Sequence, residues 1–314
     1  MKKRILCVLC AAMLLLTTAC GKKEQTDGSQ QEPKLTVLAT TYPVYLFTQA
    51  VTQGMDDIEV VRLNTGNISC LHDYTLSVND MKLIESADVI AMNGVGLETF
   101  MEDALASSDA AVIDASENVE LLESLAHHHE EGDSHDHGHY DPHIWLDPEN
   151  ASTMIYNLAE GLSRQDPIHS TAYARNALEA QEEIGEQFAA MKETLAQSAL
   201  ENIGLVTFHD GFQYFARAFG FELLAAIEEE AGSEASAKEI NEITELVNQN
   251  KLPEIFTEKN GSDATAQAIS RETGCAVGQL DMLMSGEGHD LSAYFDGLNG
   301  NIMAIVNGFG ADQA

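Results

Sequence analysis

Residues 169–198 read HSTAYARNALEAQEEIGEQFAAMKETLAQS and contain no proline and a single glycine, Gly185. Apolar residues recur in this stretch at steps of three and four, the spacing of one face of an α-helix. We predict a helix over 166–199, capped by Asp166 and with Pro167 in its first turn. At 1.5 Å per residue, such a helix is about 45 Å long, enough to join two lobes of one molecule.

Strand and helix patterns alternate on both sides of this predicted linking helix. Before it, β-branched runs such as LTVLATT (35–41) and ADVIAMNG (87–94) are separated by helical patterns. After it, IGLVTF (203–208) begins a second series, in which Ser236 opens a helix with a capping box and Gly274 ends another. The predicted fold class is α/β, with two lobes of mostly parallel sheet at 34–165 and 200–314.

The first 20 residues have the pattern of an export signal. A basic start precedes an apolar stretch, 5–16, that is too short to span a bilayer. It ends in LLTTACG, which looks like a bacterial lipobox and predicts lipidation of Cys20, although Thr17 stands where leucine is usual. The alternative is an ordinary signal peptide cut nearby. Residues 21–33 are predicted to be a flexible tether, so that the protein is anchored on the outer face of the cytoplasmic membrane.

The charge balance restricts the classes of partner. The chain carries 16 Lys and Arg against 51 Asp and Glu, a net charge of -35. Nucleic acid and anionic membrane surfaces are therefore poor partners, whereas cations are favoured. We expect a monomer.

Four residues that can bind metal each follow a predicted strand or stand in the loop after one: His72, His143, His209 and Asp281. In open parallel sheets, ligands bind outside the carboxyl ends of the strands. Two of the four residues come from each lobe, so a cation in the cleft would hold the lobes together. Three imidazoles and one carboxylate favour Zn²⁺.

Five stretches carry a resemblance to a known family and occur in order across most of residues 34–308. They are HDYTLSVNDMKLIESADVIAMNGVGLETF, DPHIWLDPENA, FHDGFQYFARAFG, ASAKEINEI and ETGCAVGQLDML. They resemble the zinc/manganese-type (cluster A-I) solute-binding lipoproteins of metal ABC importers, and most closely the zinc-binding members. The resemblance implies two βα lobes joined by one long helix, with the metal in the cleft between them.

The resemblance also implies a function and a ligand set. A protein of this kind captures Zn(II) outside the cell membrane and delivers it to a permease and its ATPase. By position the ligands are again His72, His143, His209 and Asp281. Histidine at the third position goes with zinc in the family and glutamate with manganese, and a manganese-delivering protein is the alternative. NTGNISCLHDY replaces the usual proline-rich turn, and Cys70 within it could join the site or pair with Cys275.

A histidine-rich run precedes His143. Its six histidines are His127, His128, His129, His135, His137 and His139. The glycines and acidic residues of 127–139 predict loose, multivalent chelation. One hypothesis is that this loop collects zinc for the site or senses its abundance. The other is a solvated loop with incidental affinity.

Other function classes fit the sequence less well. A catalytic zinc keeps an open coordination position, which four protein ligands would close. Outside the predicted signal segment, the chain contains no HExxH, GxSxG or CxxC motif, so a zinc hydrolase is disfavoured and the chain is not expected to be an enzyme. A surface adhesin is compatible with a lipid anchor, but no motif indicates one.

Overall fold

The structure is a computed structural model that describes residues 35–63, 71, 74–125, 139–227 and 236–310. The predicted signal segment 1–20 with Cys20, and the tether 21–33, lie outside the described residues. None of the helices in the described part of the chain combines the length and the hydrophobicity of a membrane span.

The first lobe contains a four-stranded parallel sheet in the order β2-β1-β3-β4. Its strands are β1 (Leu35–Ala39), β2 (Ile58–Arg62), β3 (Val89–Met92) and β4 (Ala111–Asp114). Its helices are α1 (Tyr42–Val51), α2 (Val78–Ser86) and α3 (Glu102–Ala106), the last preceded by a 3₁₀ turn at Thr99–Met101. Thr41 begins α1 by accepting a hydrogen bond from the Val44 amide, and Ser77 forms a capping box with Asp80 at α2.

Two helices lie in the chain between the two sheets, and the second is the long one. Helix α4 is Pro148–Gln165 and helix α5 is Ser170–Gln197. The prediction that a helix starts at Asp166-Pro167 was wrong, because Asp166 ends α4 through a bond from its amide to the Leu162 carbonyl. The Asp166 carboxylate contacts His169 and Tyr173 instead of capping α5. The same Asp-Pro signal does start α4, where Asp147 accepts from the amide of Glu149.

The second lobe repeats the parallel architecture with the order β6-β5-β7-β8. Its strands are β5 (Gly204–Thr207), β6 (Glu222–Ala226), β7 (Glu254–Glu258) and β8 (Ala276–Leu280). Its helices are α6 (Gln213–Phe219), α7 (Ala237–Asn250), α8 (Ala264–Thr273) and α9 (Leu291–Gly310). The Ser236 capping box is confirmed, and so is the left-handed Gly274 at the end of α8. The predicted fold class of two parallel α/β lobes is confirmed.

One apolar core runs through both lobes and the connecting helices. It includes Val37 of β1, Leu205 of β5, Tyr173 of α5 and Tyr294 of α9, all fully buried. Trp145, in the 3₁₀ turn Ile144–Leu146 before α4, is also fully buried in this core. The carboxyl ends of the strands from the two sheets are therefore held by a shared set of packed side chains.

Candidate metal centre

His143 is held rigidly by the residue two positions before it. Its ring is almost fully buried, with 2% of the side chain exposed, and Nδ1 lies 2.7 Å from Oδ1 of the buried Asp141. The backbone amide of His143 donates to the same oxygen over 2.9 Å. Since a carboxylate only accepts hydrogen bonds, Nδ1 carries the proton and Nε2 is left as the nitrogen that can bind a metal.

Asp141 is in turn held by the second lobe. The Tyr214 hydroxyl of α6 donates to the Asp141 backbone carbonyl over 3.0 Å, and Gln213 Nε2 lies 3.3 Å from Asp141 Oδ2. The Leu122 amide donates to the Tyr214 hydroxyl over 2.9 Å. The first turn of α6 thus fixes the carboxylate that orients His143, an arrangement typical of residues that support metal ligands.

His209 follows β5 and faces His143. The two Nε2 atoms are 3.3 Å apart, and the rings meet edge to face with their centroids separated by 5.1 Å. The other nitrogen of His209, Nδ1, lies 3.9 Å from Oε2 of Glu258 at the end of β7. Gly211 allows this approach, because a Cβ there would lie 2.8 Å from the His209 ring and 3.0 Å from that of His143.

The separation of the two imidazoles matches what a tetrahedral metal requires. Zinc–nitrogen bonds of about 2.0–2.1 Å that meet at the tetrahedral angle place the two nitrogens about 3.3 Å apart. The Nε2 atoms of His143 and His209 have this separation. The pair can therefore bind one cation with little movement of either ring.

Asp281 follows β8 and is engaged differently. Its Oδ2 is 2.9 Å from Nζ of Lys259, and its Oδ1 accepts from the Leu283 amide over 2.8 Å. Asn301 of α9 bonds to both backbone groups of Asp281. The next residue, Met282, places its methyl group at the face of Gly211 beside the two imidazole rings. The Met282 side chain thus reaches the paired histidines, while the Asp281 carboxylate has Lys259 as its partner.

The other predicted metal-binding residues fall mostly outside the described part of the chain. These are His72, Cys70 and, of the histidine-rich loop, His127, His128, His129, His135 and His137. His139 is described and is exposed, with Nε2 3.8 Å from Glu123 Oε1. Within the described ranges, no three His, Cys, Asp or Glu side chains are grouped so that they could hold a metal ion. Cys275 is a buried free thiol.

A buried glutamate that the sequence analysis missed supports the His143 segment. Glu98 accepts hydrogen bonds from the Thr40 hydroxyl and from the amides of Asn93 and Gly94. The Asn93 side chain then donates to the carbonyl of Pro142, next to His143. Burial raises the pKa of Glu98 to about 7. In the sequence, Glu98 is indistinguishable from an ordinary acidic residue in the first turn of a helix.

Two parallel α/β lobes that bring His143 face to face with His209, just after β5, have the architecture of a two-lobed solute-binding protein. Comparison with protein-family models agrees: the ZnuA family, described as the periplasmic component A of a zinc-uptake complex, matches residues 37–308. The chain belongs to this family. The family resemblance stated from the sequence is therefore confirmed, and the family is one of binding components rather than enzymes.

Individual relatives differ in the metal that their names give. The zinc-binding lipoprotein AdcA of Streptococcus pneumoniae is 30% identical over 312 residues, which cover 96% of this chain but 60% of AdcA. The iron-binding protein YfeA of Yersinia pestis is 27% identical over 309 residues, 96% of this chain and 94% of YfeA. The solved structure of FpvC from Pseudomonas aeruginosa with Ni²⁺ is 25% identical, with a TM-score of 0.74 over 89% of this chain and 98% of FpvC.

Proposed function

We propose that this protein captures Zn(II) outside the cytoplasmic membrane and delivers it to the permease and ATPase of an ABC importer. The observation that carries the proposal is the 3.3 Å separation of the Nε2 atoms of His143 and His209. The Nδ1 atom of His143 faces the Asp141 carboxylate, and the Nδ1 atom of His209 faces the Glu258 carboxylate. The Nε2 atoms of the two rings therefore face each other. Carboxylates behind imidazoles are typical of zinc sites.

The proposed ligand set is His72, His143, His209 and Asp281. His143 and His209 are already paired, and Asp281 exchanges Lys259 for the cation when the metal binds. His72 lies outside the described residues and would complete the tetrahedral shell. Three neutral imidazoles and one carboxylate are a donor set that suits Zn²⁺ better than harder cations, which prefer oxygen ligands.

Metal analysis of protein purified without chelator tests this proposal. We expect one tightly held zinc per chain, with an anomalous signal at the zinc edge located between His143 and His209. His143→Ala and His209→Ala should each abolish tight binding, whereas His169→Ala should not, because His169 contacts Asp166 and Asp57 instead. Tight binding that survives either of the first two substitutions would refute the assignment.

The choice of metal needs its own experiment, since relatives are named for zinc and iron and one is solved with nickel. We propose zinc over the manganese alternative because His209 supplies nitrogen where a carboxylate would supply oxygen. His209→Glu should raise the affinity for Mn²⁺ relative to Zn²⁺ in a competition titration. An unchanged ratio would remove this argument.

We further propose a lipid anchor at Cys20, in keeping with the name of the AdcA lipoprotein. A protein tethered in this way acts as a monomer that presents the cleft to the permease. Labelling of growing cells with a fatty-acid probe should mark the native chain and not Cys20→Ser. Labelling of both would exclude Cys20 as the anchor.

The histidine-rich loop is proposed to be a weak auxiliary zinc site. Its two ends are bonded together, since the Ser124 amide donates to the His139 carbonyl over 3.2 Å. The Ser124 hydroxyl and the Leu125 amide both bond to Asp210, the neighbour of His209. Ser124 and Leu125, which precede the loop, are therefore bonded to the residue that follows His209. Deletion of residues 127–139 should remove the weakly bound zinc ions and leave the one tightly bound zinc ion, as measured by zinc titration. Loss of the tightly bound ion would show that the loop and the tight site are not separate.

A further inference from the structure

The segment after Asp281 crosses to the first lobe and is fastened there. We name residues 282–290 the strap. Arg62, at the end of β2, donates from Nη2 to the Gly286 carbonyl over 2.7 Å. The Tyr42 hydroxyl donates to the Gly288 carbonyl over 3.3 Å, and the Tyr45 hydroxyl lies 2.8 Å from Nδ1 of His289. Three side chains of the first lobe therefore bind the backbone and a side chain of the second.

Arg62 is fixed before it reaches the strap. Its guanidinium carbon lies 4.8 Å from the centre of the Tyr42 ring and 5.5 Å from that of Tyr45. Both tyrosines are buried parts of α1. Stacking of a guanidinium on aromatic faces restricts its rotamers, so little entropy is lost when it donates to Gly286.

The strap has a backbone that allows this close approach. A Cβ on Gly286 would lie 2.5 Å and 2.6 Å from two carbons of the Tyr42 ring, so that a larger residue would push the strap away. Leu283 adopts a left-handed conformation with φ of 60°, which is uncommon for a residue with a branched side chain. Two contacts hold Leu283 in this conformation: the hydrogen bond from its backbone amide to the Asp281 carboxylate, and the packing of its side chain against Gly297.

The strap is fastened at its other end as well. Trp145 Nε1 donates to the Met282 carbonyl over 2.8 Å, immediately after Asp281. The Tyr294 hydroxyl of α9 donates to the Trp145 carbonyl over 2.7 Å. The backbone on the carboxyl side of Asp281 is thus tied to the first lobe at Met282 and again at Gly286 and Gly288.

We propose that Arg62 and Tyr42 are positioning residues for metal capture, which clamp the strap to the first lobe and so fix the backbone from which Asp281 offers its carboxylate to the cation. The inference rests on the proposed function, because it concerns the placement of a proposed ligand. Neither residue needs to touch the metal. A ligand whose backbone is held in place before the cation arrives loses less freedom on binding, and this raises the affinity.

The test measures zinc affinity by competition with a chelating dye. Arg62→Ala should weaken binding about tenfold, the loss expected for one charge-assisted hydrogen bond and its stacking. Gly286→Ala should act in the same direction without altering β2, so it carries the test if Arg62→Ala does not fold. Arg62→Lys should retain part of the affinity. Gly185→Ala is the matched control, since a Cβ there meets nothing within 4 Å.

The same substitutions are then made in an Asp281→Ala background. If Arg62 acts through Asp281, Arg62→Ala and Gly286→Ala have no further effect there. If Arg62→Ala and Gly286→Ala lower the zinc affinity equally with and without Asp281→Ala, the inference is overturned. It is also overturned if both substitutions, made alone, leave the zinc affinity at the native value. If Asp281→Ala alone leaves the affinity unchanged, the failure is that of the proposed ligand set. Thermal unfolding of the metal-free variants confirms that each is folded.

Discussion

His143 and Asp281 are supported in opposite ways. The His143 ring is 2% exposed and is paired with a carboxylate that is fully buried, whose other oxygen contacts Gln213 of α6. The Asp281 side chain is 23% exposed and is paired with Lys259, of which 63% is exposed. One proposed ligand is therefore set in its binding geometry by the packed interior, while the other is held by an ion pair that solvent weakens.

This difference suggests a division of labour within the site. A buried imidazole that is hydrogen-bonded to a buried carboxylate costs free energy to move, because the carboxylate would be left unsatisfied in the interior. An exposed ion pair exchanges its partner at little cost. The first lobe then provides a fixed platform, and the second lobe provides the group that responds to the metal. The predictions that follow are ordered from the largest expected effect to the smallest.

Trp145 connects the platform to the strap, so its removal should have the largest effect. The side chain is fully buried and donates to Met282. Trp145→Ala should lower the free energy of unfolding by about 3–5 kcal/mol, the loss typical of a buried aromatic. Tyr156→Ala, on the exposed face of α4, should change it by about 0.5 kcal/mol or less. Urea unfolding of the metal-free protein measures both, and similar losses would show that the platform is not tightly packed.

Glu98 should make the stability of the platform depend on pH. Its pKa is about 7 in the folded protein against 4.5 ordinarily, so the folded state binds the proton more tightly than the unfolded state. The stabilisation present when Glu98 is protonated is lost as pH rises from about 4.5 to 7, by about 2–3 kcal/mol between pH 5 and 8. Glu98→Gln cannot ionise, so its unfolding free energy should fall less over this range.

Unfolding of the two metal-free proteins at pH 5 and pH 8 provides the comparison. All other titrating groups are shared, so the difference between the two pH dependences belongs to Glu98. Parallel changes in both proteins would mean that the carboxylate is ionised in the fold across this range. The hydrogen bonds from Thr40, Asn93 and Gly94 would then have outweighed its burial.

Local signals in the sequence predicted much of the fold and the strand ends that carry two of the proposed ligands. His209 and Asp281 were placed at the carboxyl ends of strands because β-branched runs and the following turns identify strand ends. The Asp-Pro signal succeeded at Asp147 and failed at Asp166, since local sequence does not show that the Asp166 carboxylate bonds to His169 and Tyr173. Contacts such as that of Arg62 with Gly286 join residues 224 positions apart and leave no periodic pattern.

Substitution of Asp141 tests whether the fixed orientation of His143 contributes to zinc affinity. Asp141→Ala removes the acceptor of the His143 Nδ1 proton and should weaken zinc binding by about 10–100-fold, the usual effect of losing such a partner. The control is Asp109→Ala, which removes an exposed carboxylate and the same charge. A chelator competition titration reports both affinities. If Asp141→Ala changes the affinity no more than Asp109→Ala, the orientation of His143 does not depend on this carboxylate.

Substitution of Lys259 tests whether the Asp281 carboxylate exchanges its partner for the metal. It should have the smallest effect on zinc affinity, and it should raise the affinity rather than lower it. Its ammonium group occupies the carboxylate that the metal needs, so Lys259→Met should tighten zinc binding about two- to fivefold, as expected for loss of an exposed ion pair of less than about 1 kcal/mol. Lys259→Arg keeps the competing charge and should bind like the native chain. Lys238→Met removes an exposed charge that is paired with Glu242 and should also have little effect. Because salt screens the Lys259–Asp281 pair, the advantage of Lys259→Met should shrink as ionic strength rises. Weaker binding by Lys259→Met at low salt would instead mean that Lys259 holds Asp281 in place for the metal, and both ligands would then belong to the fixed side of the site.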